Sequence, residues 1–340
     1  MSPQLPTRQL GKDGPYVCAM GFGTMGLSVF YGVIPSDSER LAFLDQVFAR
    51  GETFWDSADI YGDSEDLLGK WFKQTGKRDE VFLATKFANS VTAEGEWVLR
   101  SDPEYVKLAC EKSLSRLGID CIDLYYCHRV DQKTPIEKTV QAMVELKEAG
   151  KIKYLGLSEC SAATLRRACA VHHISAIQME YNPFETSIED PQINVLQTAR
   201  ELGVAVVIYS PLGHGILTGQ YKSSSDFEAD DFRHTMPQFS GENLGKNLKL
   251  VDELKARAAK KGVTVGQLAL AWEMAQGDDI IPIPGTKKVK YLEENLGALN
   301  IKLSEEEIKE IRAAVDACTV YGERYSEEHM KNLYGDTPPL

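Results

Sequence analysis

"AMGFGTMGLS", Ala19–Ser28, contains a literal G-x-G-x-x-G at Gly21, Gly23 and Gly26. Such glycines hold a dinucleotide in the Rossmann manner only where a strand runs into them and a helix opens out of them, because the pyrophosphate rests on that helix's unpaired N–H groups. Tyr16–Met20 supplies the strand. Residues 27–35, LSVFYGVIP, supply no helix, being rich in β-branched and aromatic side chains and closed by proline. The first helix start is Ser36, with Glu39 three residues on as a capping box, Leu41, Leu44, Val47 and Phe48 on one face, and Gly51 as the stop. The acidic residue that closes the second strand of a Rossmann unit roughly 20 residues further on is also missing. The glycines therefore read as a turn at a strand end, and a Rossmann domain is not expected.

The rest of the chain bounds the alternatives. With 340 residues, 43% of them hydrophobic, it can bury one large core or two ordinary ones. A net charge of −12 argues against nucleic acid or an anionic membrane surface as partner. No run reaches the roughly 18 apolar residues of a membrane span, and MSPQLPTRQL lacks a signal pattern, so the expected location is the cytoplasm. Seven cysteines without a C-x-x-C pair read as reduced thiols, with no metal site expected, and Cys127 beside His128 reads as a buried strand residue.

Short apolar runs recur at 16–22, 52–55, 81–85, 122–126, 153–157, 176–180, 204–209 and 279–283, and amphipathic helical patterns at 63–75, 102–117, 161–172 and 190–202 fall between them. Thr134-Pro135-Ile136-Glu137 reads as a further capping box, ahead of the stripe Ile136, Val140, Met143 and Val144. Strict β/α alternation implies parallel strands with right-handed crossovers. Eight units suit a closed (β/α)8 TIM barrel, with a doubly wound sheet as runner-up. The expectation is a single domain over 1–340, with its core at about 8–318, an extra helix after Ser304 and a tail over 319–340. That tail either frays or touches substrate. Residues 211–241, PLGHGILTGQYKSSSDFEADDFRHTMPQFSG, read as a lid over the barrel mouth.

In such a barrel the chemistry sits where strands end. Polar residues there are Asp56, Asp59 and Tyr61 after the second run, Lys86 after the third, and His128 and Arg129 after the fourth. Each alone has an ordinary structural explanation, but their joint placement favours chemistry. A tyrosine titrating near ~10 needs a cation beside it to act on protons at neutrality. Lys86 would supply that charge, Asp56 would hold Lys86, and His128 would donate a hydrogen bond to a substrate oxygen. The set suits protonation of a carbonyl oxygen while a hydride reaches its carbon. Among the tyrosines none has a lysine four residues on, and H-E-x-x-H, G-x-x-x-x-G-K and G-x-S-x-G are all missing.

"DSADIYG" (56–62), "ATKF" (84–87) and "LYYCHR" (124–129) closely resemble the aldo-keto reductases, and the similarity runs from "GFGTMG" to "LEEN". "GLSE", "IQMEYNPFE", "VVIYSPLGHGILTGQY" and "IPIPGTKKVKYLEENLGAL" resemble the longer-loop branch of YakC and perakine-reductase type. The resemblance implies NADPH lying extended across the barrel top, with Asp56, Tyr61, Lys86 and His128 as the catalytic tetrad and Tyr61 as proton donor. It implies Gly23, Thr24 and Met25 near the nicotinamide, Ser158 and Gln178 on its carboxamide, and Tyr209 stacked on its ring. Ser210, Pro211, Leu212, Gly213 and Gly215 would cradle the pyrophosphate. Gly285, Thr286, Lys287, Glu294 and Asn295 would hold the adenosine end, with Lys288, Lys290 and Arg233 as further charges for a 2′-phosphate. Tyr291 stands where other branches carry arginine.

The function implied is NADPH-dependent reduction of a small-molecule carbonyl. Phe30, Tyr31, Phe87 and Trp97, in loops 26–35 and 87–101, favour an apolar or aromatic aldehyde. The alternatives are a regulatory subunit of the potassium-channel β type, and alcohol oxidation by the same residues run in reverse. The oligomeric state is not readable from the sequence.

Overall fold

A computed structural model describes residues 4–92 and 94–340; Met1–Pro3, at the edge of the expected domain, and Ala93, in the 87–101 loop, lie outside the described residues. Two short strands come first, β1 (Thr7–Gln9) and β2 (Tyr16–Cys18), paired antiparallel. Then follow β3 (Phe22–Gly23), α1 (Asp37–Ala49), β4 (Phe54–Asp56), α2 (Ser64–Thr75) and β5 (Phe82–Phe87). A hairpin of β6 (Asn89–Val91) and β7 (Trp97–Leu99) interrupts the alternation. It resumes with α3 (Pro103–Leu117), β8 (Ile122–Cys127), α4 (Ile136–Glu148), β9 (Ile152–Ser158), α5 (Ala162–Val171), β10 (Ala176–Glu180), α6 (Val195–Leu202) and β11 (Ala205–Tyr209). The chain ends with α7 (Gly241–Lys261), α8 (Val265–Met274), β12 (Ile280–Pro282), α9 (Val289–Gly297), α10 (Glu305–Ala317) and α11 (Glu327–Met330).

Eight strands, β3, β4, β5, β8, β9, β10, β11 and β12, lie side by side in that order, every pairing parallel. The ends of this sheet meet. Gly21 N–H donates to the Pro282 carbonyl (2.8 Å) and Gly23 N–H to that of Pro284 (3.4 Å), which closes the barrel. The opening glycines therefore have a steric purpose at the seam. A Cβ on Gly23 would sit 2.8 Å from the Ile283 carbonyl oxygen, and one on Gly285 would sit 2.8 Å from that of Gly23. The backbones of the first and last barrel strands approach too closely for any side chain. No α-helix opens out of the glycines, only a 3-10 turn over Met25–Leu27.

Strand alternation divides the core. Phe54, Ala84, Leu124, Tyr126, Ala176, Val207 and Ile281 fill the barrel interior together with Leu10 and Val17, so the β1–β2 hairpin stoppers the amino end. Leu83, Tyr125, Leu155, Ile177 and Ile208 point outward into the layer shared with the helices. Among the described residues no helix is long and apolar enough to cross a membrane.

The sequence reading needs three corrections. The first apolar run, 16–22, is two elements, since Tyr16–Cys18 belongs to the stopper and only Phe22–Gly23 to the barrel. Thr134 caps nothing: Asp131 accepts its N–H (2.7 Å) and hydroxyl (2.9 Å), and Pro135 takes the N-cap position without a side-chain bond. The 190–202 helix starts only at Val195, because Asn194 (φ 54°) adopts the left-handed conformation and breaks the turn before it. The capping box at Ser36 and Glu39 is present as read.

Two glycine substitutions separate seam packing from general glycine effects. Gly23→Ala should lower unfolding free energy by about 1–3 kcal/mol through overpacking. Gly245→Ala, inside α7, where an added Cβ meets nothing within 4 Å, should raise it by about 1 kcal/mol. Urea unfolding of the two variants checks both signs.

Candidate active site

Asp56 ends β4 and Lys86 lies near the end of its neighbour β5, so parallel pairing brings both to the carboxyl mouth. Lys86 is 0% exposed. Its ammonium is ion-paired with Asp56 Oδ1 and donates to the Ser57 carbonyl at 2.7 Å. The other Asp56 oxygen accepts from Gln178 Nε2 at 2.8 Å. Burial alone would lower the lysine's pKa, but Asp56 and Tyr61 outweigh it and hold the value above the ordinary one, so the proton stays on nitrogen.

Tyr61 sits in the loop between β4 and α2, with its ring centre 5.0 Å from Lys86 Nζ. Burial raises its phenol; Lys86 pulls the other way without cancelling that, and Asp56 adds to the rise. The pull of the lysine is only partial, and Tyr61 stays a phenol. His128, just past β8, stands edge to face against Tyr61 with ring centres 5.8 Å apart. Burial, then Arg129 and Lys86, hold its imidazole well below the ordinary histidine value, so it is neutral. Asp59 belongs to a different environment: burial, then Glu65, pushes its carboxyl up to about 8.

The residues assigned to a cofactor by resemblance lie around the same mouth. Thr24 is fully buried, its hydroxyl donating to the Asp56 carbonyl (2.9 Å) and meeting Ser64 (2.9 Å), so it braces the tetrad loop. Gly23 and Gly285 form the seam, and Met25 begins the turn beside them. Ser158 and Gln178 lie on neighbouring strands β9 and β10, in register with each other. The Ser158 hydroxyl accepts from Arg129 Nη1 (3.1 Å). Past Tyr209, left-handed φ values at Ser210 (50°), Gly213 (53°), His214 (52°) and Gly215 (95°) fold residues 210–215 into a tight turn. Successive residues of this kind turn N–H groups to one side and make an anion-binding concavity. Pro211 and Leu212 lie within the turn. Beyond β12, Thr286 and Lys287 lead to Lys288 at the N-cap of α9, whose first turn carries no acidic residue and which bears Lys290, Glu294 and Asn295. A backbone concavity followed by three lysines fits a phosphorylated dinucleotide such as NADPH.

The lid residues are ordered into 3-10 turns and meet loop 26–35 over the mouth. Phe30 and Phe232 pack at 5.3 Å, Val33 N–H donates to Glu228 (3.2 Å), and Lys287 donates to the Tyr31 and Val33 carbonyls (3.0 Å for the latter). Arg233 is ion-paired with Asp231 at 2.6 Å, bonded to the His214 carbonyl, and lies 4.1 Å from the Phe227 ring centre. Its charge is thus already partnered. Phe87, expected near the pocket, is 0% exposed and stacks on Tyr125 within the core.

Two features had no local signal. Arg324, in the tail, is 4% exposed and pairs with Glu159 (2.9 Å) and Glu180 (2.8 Å) while donating to the Tyr209 hydroxyl (2.8 Å). The tail thus holds the Tyr209 hydroxyl, and bonds of Gly335 with Ser161 and Glu159 tie it to the residues after β9. The second is Asn89, whose side-chain amide lies 3.0 Å from His128 Nδ1.

A closed parallel barrel with an acid, a phenol, a buried ammonium and an imidazole at its carboxyl mouth defines a class of enzyme, the barrel oxidoreductases. The chain belongs to the aldo/keto reductase family, whose model matches residues 19–316. It is 56% identical over 341 residues to aldo-keto reductase str7 of Strobilurus tenacellus, spanning 99% of both chains. To aldo-keto reductase yakc [NADP(+)] of Schizosaccharomyces pombe it is 52% identical over 340 residues, again spanning 99% of both. Among solved structures it is similar to glycerol dehydrogenase AKR11B4 of Gluconobacter oxydans (TM-score 0.81, 26% identity, 98% of each chain). The thermostable aldo-keto reductase Tm1743, solved with the inhibitor epalrestat, superposes with a TM-score of 0.73 at 28% identity, over 91% of this chain and all of that one.

The Arg324 cluster makes stability depend on acid. Burial would raise the Glu180 carboxyl, but Arg324 and His214 bring it down to about 2. A depressed carboxylate stabilises above its unfolded value and loses that contribution as pH falls toward the folded one. Arg324→Met should therefore cost about 3–5 kcal/mol at neutral pH, by stranding buried carboxylates. The gap to wild type should narrow between pH ~5 and ~3. Urea unfolding across that range is the check.

Proposed function

We propose that the protein reduces aldehydes, and some ketones, to alcohols with NADPH, Tyr61 being the proton donor. The single observation that carries this reading is Tyr61 placed 5.0 Å, ring centre to nitrogen, from a buried ammonium that Asp56 keeps charged. NADP(H) as cofactor is supported by the name of the Schizosaccharomyces pombe relative, by the 210–215 turn and by the lysines around α9. When bound, it supplies a hydride for the carbonyl carbon.

The remaining work falls to the chain. A carbonyl oxygen seated between Tyr61 and His128 would accept a hydrogen bond from the neutral imidazole, which orients it. As negative charge grows on that oxygen, the Tyr61 hydroxyl gives up its proton to it. The phenolate left behind gains the Lys86 ammonium as counter-charge, and Asp56 stops that ammonium from losing its proton instead. Water then reprotonates Tyr61. A raised phenol suits this direction, because the donor stays protonated throughout the neutral range. Thr24, Gln178 and Ser57 hold the pair in place, and Phe30 and Trp97 offer apolar surface to an aromatic aldehyde.

Tyr61→Phe should lower turnover by roughly 10²–10⁴ while fluorescence titration shows NADPH binding retained; unchanged turnover on an aldehyde panel would refute the assignment. The pH profile follows from the two shifts. With His128 depressed and Tyr61 raised, wild-type reduction should be flat from pH ~6 to ~9 and fall only on the alkaline side. An acidic limb near pH ~6.5 would show a titrating imidazole and contradict the scheme.

A further inference from the structure

Nothing in the tetrad itself settles which nitrogen of His128 carries its proton, and a carbonyl acceptor needs a donor. The β6–β7 hairpin contains the answer. Trp97 Nε1, a group that can only donate, is 3.1 Å from Asn89 Oδ1. Were the Asn89 amide turned over, two N–H donors would face each other. Oδ1 must therefore face the indole, and Nδ2 must face His128 Nδ1 at 3.0 Å. Since Nδ2 also can only donate, Nδ1 must be the bare, accepting nitrogen, and in a neutral ring the proton must reside on Nε2.

The backbone is bent to make this contact. Ala88, 0% exposed, holds φ at 112°, a conformation that L-residues avoid. It turns the chain out of β5 so that Asn89 begins the hairpin. Two bonds and a strand pairing over-determine the bend: Arg100 N–H to the Ala88 carbonyl (2.8 Å), Tyr105 hydroxyl to the Asn89 carbonyl (3.1 Å), and the antiparallel register of Asn89 with Leu99.

We propose that Trp97 and Asn89 are positioning residues which fix His128 as its Nε2–H tautomer and so make it a hydrogen-bond donor to the substrate oxygen. This rests on the reading of His128 given under Proposed function, and the test separates the two. Asn89→Asp replaces the donor with an acceptor and should move the proton to Nδ1. Trp97→Phe keeps an aromatic ring but frees the Asn89 amide to turn.

Nitrogen-15 NMR of imidazole-labelled protein, on the alkaline side of neutrality, reads the tautomer with no turnover involved. Wild type should show a protonated Nε2 and a bare Nδ1. Asn89→Asp should show the reverse, with kcat falling at least roughly tenfold and up to ~10⁴-fold, the scale of a wrong-tautomer defect, and NADPH affinity unchanged. Trp97→Phe should show a mixture and a smaller loss, and Trp97→His, which restores a ring N–H, should recover part of it. Asn89→Asp with the wild-type nitrogen spectrum would overturn the inference, as would Nδ1–H in the wild type. A reversed spectrum with undiminished kcat would uphold the relay and defeat the catalytic reading of His128.

Discussion

Everything at the barrel mouth depends on one ion pair sealed from solvent, Lys86 with Asp56. Two isolated charges at that depth would each be costly, and the removal of one partner from such a pair typically costs about 3–5 kcal/mol. Here the remaining bonding capacity is also used. Asp56 accepts from Gln178 and Lys86 donates to Ser57, so neither charge is left half-satisfied. The pair is possible because parallel register sets the ends of β4 and β5 next to each other, and because the Gly21–Gly23 seam draws the barrel shut around them.

Electrostatics then assign the protons. The ammonium keeps its own, the imidazole is denied a second one, and the phenol holds its proton. Lys86 does not make Tyr61 acidic at rest, since burial outweighs it. In the proposed reaction its contribution would fall where a phenolate forms, which is where stabilisation accelerates a reaction. The same low-dielectric site that raises Tyr61 strengthens the attraction between its anion and the lysine.

The sequence disclosed what depends on short-range pattern. Short apolar runs ending in Asp56, Lys86 and His128 place three side chains at strand ends, and β/α alternation places the strands in one barrel. It was silent where contacts are remote. Arg324 meets Glu159 and Glu180 across more than a hundred residues and follows no motif. Ala88 carries no mark of its left-handed backbone, so Asn89 looked like any loop residue and Phe87 like a pocket wall. The glycines of "GFGTMG" were read correctly as outside a Rossmann unit, but their cause, a seam with the far end of the chain, needs the closed barrel to be seen.

The central claim is that Lys86 lowers the proton affinity of Tyr61 against the pull of burial. Carbon-13 labelling of the tyrosine ring, followed by NMR, reads the ionisation of Tyr61 directly in wild type and in Lys86→Met. Tyr61 should remain a phenol across the neutral range in both, with the titration midpoint displaced upward in the variant. A midpoint unmoved or displaced downward would contradict it.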